Sequence, residues 1–268
     1  MARHHPLSMA SGIMPEATPV ELVECAARAG FAFGGMWIEP AEWSAGTTRD
    51  VKAALAATGL KLLDIEVVWI KPGPLDPDHL RILDVGMELG ARNVLCVSSD
   101  PDERAATAKL ATLIDHATPG GIRVNLEFGL FTEVKTLQQA SAILRAMDSP
   151  MAGLLIDPLH WTRSGGTIAD VAAIPPAWLS YAQLCDAPMP GADPADPQAI
   201  LIEAIDGRVA LGAGGLDLDR LLAVLPDGLP IAVEERSKAL RDNFPDLHAR
   251  AAELMRTSRV WMESRSAA

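Results

Sequence analysis

Eight short apolar runs alternate with helix-like stretches along nearly the whole chain, and this rhythm restricts the fold to a parallel α/β architecture. The runs cover 6–14, 31–39, 61–70, 92–99, 123–129, 151–160, 179–187 and 231–236. One strand–loop–helix–loop unit needs roughly 30 residues. Strands that follow one another through helices pair in parallel. Their near-continuous apolar character is that of strands buried on both faces. Eight such units in 268 residues predict a single (β/α)8 TIM barrel domain spanning 1–268. An open doubly wound sheet is the competing topology. It is disfavoured because no G-x-G-x-x-G follows the first run.

The helices carry their own punctuation. Thr18-Pro19 reads as an N-cap followed by proline at the first helical position, and Gly30 closes that helix. Further helices are predicted over 47–59, 77–90, 102–117, 136–147 and 246–262, with a short one near 167–174. Segment 188–229 breaks the rhythm: PMPGADPADPQ is rich in proline, aspartate and glycine, and 188–229 is predicted to be a long βα loop over the barrel mouth.

Barrel chemistry sits at the C-terminal ends of the strands. Four consecutive predicted strands end there in an oxygen donor: Glu127 in VNLEF, Asp157 in LLIDPLH, Gln183 in YAQLCDA and Glu234 in IAVEER. Their spacings of 30, 26 and 51 residues match one, one and one extended βα unit. Buried acids are costly unless paired or coordinated. Three carboxylates and an amide oxygen converging at one mouth predict a site for one hard divalent cation, with Mn²⁺, Mg²⁺ or Co²⁺ preferred over structural zinc.

Net charge of −12 and a pI near 4.9 argue against nucleic acid and anionic membrane surfaces as partners. No run approaches a membrane span. Three sparse cysteines, Cys25, Cys96 and Cys185, suit a reducing cytoplasm. The opening MARHHPLSMASG lacks the apolar core of a secretory signal, and His4 and His5 are expected in solvent.

The succession LEF, then D-x-x-H at Asp157–His160, then Q-L-C-D at Gln183–Asp186, then V-E at Val233–Glu234 resembles the xylose-isomerase-like barrels of the sugar phosphate isomerase/epimerase superfamily. DPLHWTRSGGT and EAIDGRVALGAGGLDL resemble one bacterial branch of it, and the likeness runs from about residue 7 to 262. The resemblance implies a metal held by Glu127, Asp157, Gln183 and Glu234, with Glu127 and Glu234 also serving as acid and base. The epimerases have a histidine where this chain has Gln183, and such a glutamine is similar to the dehydroshikimate dehydratase branch. The expected function is therefore a divalent-metal-dependent isomerase or epimerase of a small keto sugar or keto-polyol, acting through an enediolate. The alternatives are a dehydratase of the 3-dehydroshikimate or keto-inositol type, and a non-catalytic ligand-binding barrel. A DNA-cleaving relative needs a histidine-rich site, and this chain has six histidines, of which only His160 falls at a strand end. The partner expected is a small polyhydroxylated substrate; homo-oligomerisation is left open.

His160, on the loop leaving the sixth strand, is a candidate acid/base or an orienter of Asp157. Arg163 and Arg236, just beyond ligands, are candidate clamps for an anionic group, with Arg208 a weaker one; each is equally explained by a salt bridge. Glu39, Glu66 and Trp37 are candidate substrate contacts. Asp186 is expected to support Gln183 or Arg236. Trp69 and Trp161 suit an apolar wall or the barrel–helix shell. Cys185 reads as a small buried hydrophobe. Gly165-Gly166 and Gly212–Gly215 resemble phosphate-cradling turns, a weak signal because such turns are usually only turns.

Overall fold

The computed structural model describes residues 5–266. Eight parallel strands run β1 Leu7–Met9, β2 Phe33–Trp37, β3 Lys61–Ile70, β4 Asn93–Ser98, β5 Arg123–Glu127, β6 Ala152–Leu155, β7 Ala182–Leu184 and β8 Ile231–Val233. Their order is β6-β5-β4-β3-β2-β1-β8-β7, and every ladder is parallel. The Gln183 amide donates to the Ile156 carbonyl at 2.9 Å, bringing β7 against the end of β6 and closing the ring.

Helices pack outside the ring: α1 Pro19–Ala29, α2 Ala45–Thr58, α3 Pro77–Leu89, α4 Glu103–Ala117, α5 Leu137–Arg145, α6 Pro158–Arg163, α7 Ile168–Ala172, α8 Pro197–Asp206, α9 Leu218–Val224, α10 Lys238–Asn243 and α11 Leu247–Ser266. Thr18 caps α1 in a reciprocal box with Glu21, and Gly30 ends it at φ 85°. Packing between ring and shell is tight. A Cβ on Gly86 of α3 would lie 2.2 Å from Ile65 Cδ1, so Ile65 faces the helices. By strand alternation Asp64 and Glu66 face the barrel interior.

Four expectations are corrected. The first run is a three-residue strand followed by a 3-10 turn at Ser11–Ile13. Segment 188–229 is not loop throughout, because it contains α8 and α9. The end of the sixth run is helical, since Asp157 caps α6 and Pro158 opens it. His160 is thus a helix residue. His5 is buried, its Nδ1 2.9 Å from the Leu229 carbonyl; His4 lies outside the described residues. Among the described residues no helix is long and apolar enough to cross a membrane.

Candidate active site

The barrel interior is layered. On β5, Asn125 and Glu127 alternate inward. Asn125 Nδ2 donates to Asn93 Oδ1 at 3.1 Å, Asn93 Nδ2 to the Leu63 carbonyl at 2.9 Å, and Ser180 Oγ to Asn125 Oδ1 at 2.7 Å. Gly153 on β6 makes room for this ladder: a Cβ there would fall 2.1 Å from Asn125 Oδ1. The ladder is a saturated polar floor, and Glu127 stands one layer higher, at the C-terminal end of the ring.

Glu127, Asp157 and His160 are buried with one donor atom each within 4.8 Å of one another. Asp157 leaves β6 and turns into α6. Its Oδ1 accepts the Leu159 and His160 amides at 2.7 and 3.1 Å, which fixes the carboxylate and leaves Oδ2 for Arg208. Gln183, from β7, and Glu234, just beyond β8, complete the mouth. Glu127 Oε1 and Gln183 Oε1 are buried without a hydrogen-bond partner.

Arg208 enters this group from the segment after α8. Its Nη1 lies 2.5 Å from Asp157 Oδ2 and 2.9 Å from Glu234 Oε2. Its Nε donates to the Ala204 carbonyl at the end of α8, and Nη2 lies 3.4 Å from His160 Nε2. The guanidinium is only 2% exposed, so it must be paired to be tolerated there. The sequence reading gave Arg208 little weight, because a lone arginine in a loop has no periodicity to place it.

The electrostatics follow from burying many acids with one cation. Burial pushes Glu127 well above the carboxylate range, and Asp157 and Glu234 push it further. Burial raises Glu234 to about 8 despite Arg208. Burial also opposes ionisation of Asp157, but Arg208 and His160 hold it at about 2. Burial lowers His160 to about 4, with Arg208 working against Asp157, so the imidazole is neutral near pH 7. Deeper in the barrel, burial and then Glu66 raise Asp64. Three carboxyls at the mouth thus face one buried guanidinium, and two oxygens face none. This hard, oxygen-rich donor set, with two buried oxygens unpartnered and two carboxyls that burial keeps protonated until a cation is supplied, fits a divalent cation that Glu127, Asp157, Gln183 and Glu234 would hold.

Glu66, Glu127, His160, Arg208, Glu234 and Arg236 line a cavity of about 90 Å³ at the mouth, with Trp69 and Phe131 as its apolar wall. Phe131, absent from the candidates above, lies against His160 with the rings tilted by 47° and their centroids 4.7 Å apart, and meets Trp69 edge-on at 5.9 Å. Glu66 is anchored by Ser11, whose Oγ donates to Glu66 Oε1 at 2.5 Å. A wider hollow of about 480 Å³ lies beside the cavity and shares Trp37 and Arg236 with it. Glu39 lines this outer hollow and not the central cavity.

Other candidates are engaged elsewhere. Arg163 forks onto Glu203 at 3.0 and 2.7 Å and donates to the Pro188 carbonyl, outside the central cavity. Asp186 supports neither Gln183 nor Arg236. Its carboxylate accepts the amides of Ala187, Gly212, Gly214 and Leu216 at 2.8 to 3.1 Å. The Gly212–Gly215 turn therefore has its anion already, an internal aspartate. The Gly165 and Gly166 amides are likewise spent on the Thr162 and Trp161 carbonyls. Trp161 is buried in the hydrophobic core. Cys185 is buried, its sulfur 3.1 Å from Arg208 Nη1.

A family model described as a xylose isomerase-like TIM barrel matches residues 23–261. The chain is 28% identical over 226 residues to a 3-dehydroshikimate dehydratase of Pseudomonas aeruginosa, covering 80% of this chain and 34% of that protein. It is 27% identical over 240 residues to one of Pseudomonas putida, covering 84% and 36%. The chain thus spans about a third of the length of these curated relatives. Among solved structures, a xylose isomerase-like TIM barrel/4-hydroxyphenylpyruvate dioxygenase fusion protein superposes with TM-score 0.81 at 24% identity, covering 98% of this chain and 43% of that one. The zinc-bound IOLI protein gives TM-score 0.77 at 17% identity, covering 98% of both chains. A D-allulose 3-epimerase of Methylomonas sp., solved with D-allulose, gives 0.71 at 17% identity, covering 99% of both. With the barrel closed, the acids gathered at its mouth and the family model matched over most of its length, this chain belongs to the xylose isomerase-like TIM barrel family.

Proposed function

We propose that this protein is a divalent-metal-dependent enzyme that removes a proton beside a carbonyl in a small polyhydroxylated substrate and expels a neighbouring hydroxyl as water. One observation carries the reading: two buried, unpartnered oxygens, on Glu127 and Gln183, stand beside Asp157 and Glu234 with the neutral imidazole of His160 among them. The bound metal, Mn²⁺ by the hardness of its donors, would supply positive charge to stabilise negative charge on substrate oxygens.

The chain supplies the proton movements. His160, kept neutral by burial, accepts the proton from carbon. The C–H electron pair becomes the enolate. When the enolate collapses, the C–C double bond forms and the C–O pair leaves with the hydroxyl. The imidazolium returns its proton to that hydroxyl, so water is the only by-product. Arg236, on the cavity wall, holds an anionic group of the substrate. Trp37 and Glu39 border the outer part of the molecule, and Glu66 borders its inner part.

Elimination is favoured over epimerisation by asymmetry. A neutral imidazole, His160, stands beside Glu127 and Asp157, so proton transfer at the cavity does not depend on two equal carboxylates. Gln183 and the two Pseudomonas dehydratases support the same choice. Isomerisation or epimerisation is the second reading, supported by the structural likeness to D-allulose 3-epimerase and by glutamates on separate strands, Glu127 and Glu234. The three cysteines, all buried and unpaired, suit a cytoplasmic setting.

The test is a panel of 3-dehydroshikimate, keto-inositols, keto sugars and hydroxypyruvate incubated with Mn²⁺-loaded protein in D₂O and followed by mass spectrometry. A product short of one water supports elimination; a deuterated isomer supports the second reading. His160→Gln should slow turnover by about 10²–10⁴-fold with unchanged metal content. Turnover that is insensitive to chelation rejects both readings, and water loss undiminished in His160→Gln rejects the elimination route through His160.

A further inference from the structure

Arg208 sits where two of the four metal-site oxygens converge. Its Nη1 bridges Asp157 Oδ2 and Glu234 Oε2 at 2.5 and 2.9 Å, all three side chains being buried. A divalent ion bound to the same two carboxylates would lie about 2.0–2.6 Å from their oxygens. That places it within a few ångströms of the guanidinium, in surroundings where like charges repel strongly. The two cations compete for one pair of acids.

We propose that Arg208 is a built-in stand-in for the metal, neutralising Asp157 and Glu234 when no ion is bound and yielding them when one is. This rests on the reading of Glu127, Asp157, Gln183 and Glu234 as the metal site. Two further observations support it. The arginine lies immediately behind α8, and Nε holds the Ala204 carbonyl at the helix end, so the cation is a latch between α8 and the barrel mouth. The segment is pinned on either side of Arg208 by short bridges, Gly207 with Ser237 and Val209 with Asp186. The backbone can therefore stay in place while the side chain swings. Leu201, Ala204 and Ile205 of α8 line the same cavity, so release of the latch alters the wall that faces substrate.

The coupling is reciprocal: what the arginine contributes to the metal-free protein, it withholds from metal affinity. Arg208→Met removes the competing charge while keeping much of the stem. Calorimetric titration with Mn²⁺ should show about tenfold tighter binding than wild type, a typical size for coupling between sites. In chelator the same variant should melt below wild type, and added Mn²⁺ should raise its melting temperature more than it raises that of wild type. If Arg208→Met folds only with metal present, its unfolding by chelator is the expected behaviour in the extreme. Arg208→Lys then carries the affinity measurement. It keeps the charge but loses the fork, and should bind Mn²⁺ more tightly than wild type by a smaller factor. Binding to wild type and both variants with equal affinity, or weaker binding to the variants, leaves the metal site standing and overturns the competition. Absence of Mn²⁺ binding in all three proteins overturns the metal reading and this proposal with it.

Discussion

Asp186 gives the sharpest stability prediction because its carboxylate replaces a bound anion. Oδ2 accepts the Gly212 and Gly214 amides, each at 3.0 Å, and Oδ1 accepts Leu216 at 3.1 Å and Ala187 at 2.8 Å. Asp186→Ala strands all four donors. Gly212 and Gly214 are exposed, so water recovers most of their bonds, at a net loss of roughly 0.5–1 kcal/mol each. Leu216 and Ala187 are buried, and a stranded buried amide costs about 1–3 kcal/mol. The contributions add to about 3–8 kcal/mol, so the melting temperature should fall by at least roughly 6–12 °C for a domain of this size. Urea unfolding and thermal melts of wild type, Asp186→Asn and Asp186→Ala measure it. Asp186→Asn should fall between the other two, since it keeps one acceptor and turns a donor toward the others. An alanine variant melting within about 2 °C of wild type would refute the idea that this carboxylate holds the loop.

Two further outcomes are expected. Burial, reinforced by Glu253, raises Glu235 to about 7. The folded state therefore keeps a proton that the unfolded chain releases above its ordinary value of 4.5; this contribution is full below pH 4.5 and lost as pH rises to about 7. Glu235→Gln should thus stabilise the protein by about 2–3 kcal/mol at pH 8 and not at pH 4.5, as read from denaturant midpoints at the two pH values; equal effects at both would contradict the shift. Gln183→His replaces a hard amide oxygen with imidazole and should move metal preference toward zinc in competitive binding, whereas an unchanged ranking would remove Gln183 from the ligand set.

Much of the fold was legible because local and global signals agree. Thr18, Pro19 and Gly30 bound α1 by backbone chemistry, and β3 runs over Lys61–Ile70 just as its apolar run does. That Glu127, Asp157, Gln183 and Glu234 fall at or near strand ends was legible because strand ends repeat with the βα period. What the sequence hid was long-range. Nothing local tells that Arg208 folds back across the mouth to Asp157, 51 residues earlier. Nor does spacing reveal that Asp186 fills the Gly212–Gly215 turn, which looks like a ligand cradle until its partner is in place. Helix α8 was readable and overlooked: Asp196 caps it and Pro197 opens it, the same signature as at Asp157-Pro158, but both lie in loop-like composition.

The most direct test of the account is metal stoichiometry. Chelator-stripped wild type and Glu127→Gln, each re-equilibrated with excess Mn²⁺ and desalted, should be compared by inductively coupled plasma analysis. Glu127 Oε1 is buried without a hydrogen-bond partner, so wild type should retain one ion per chain and the variant nearly none. Wild type without metal, or Glu127→Gln with full occupancy, would contradict the site.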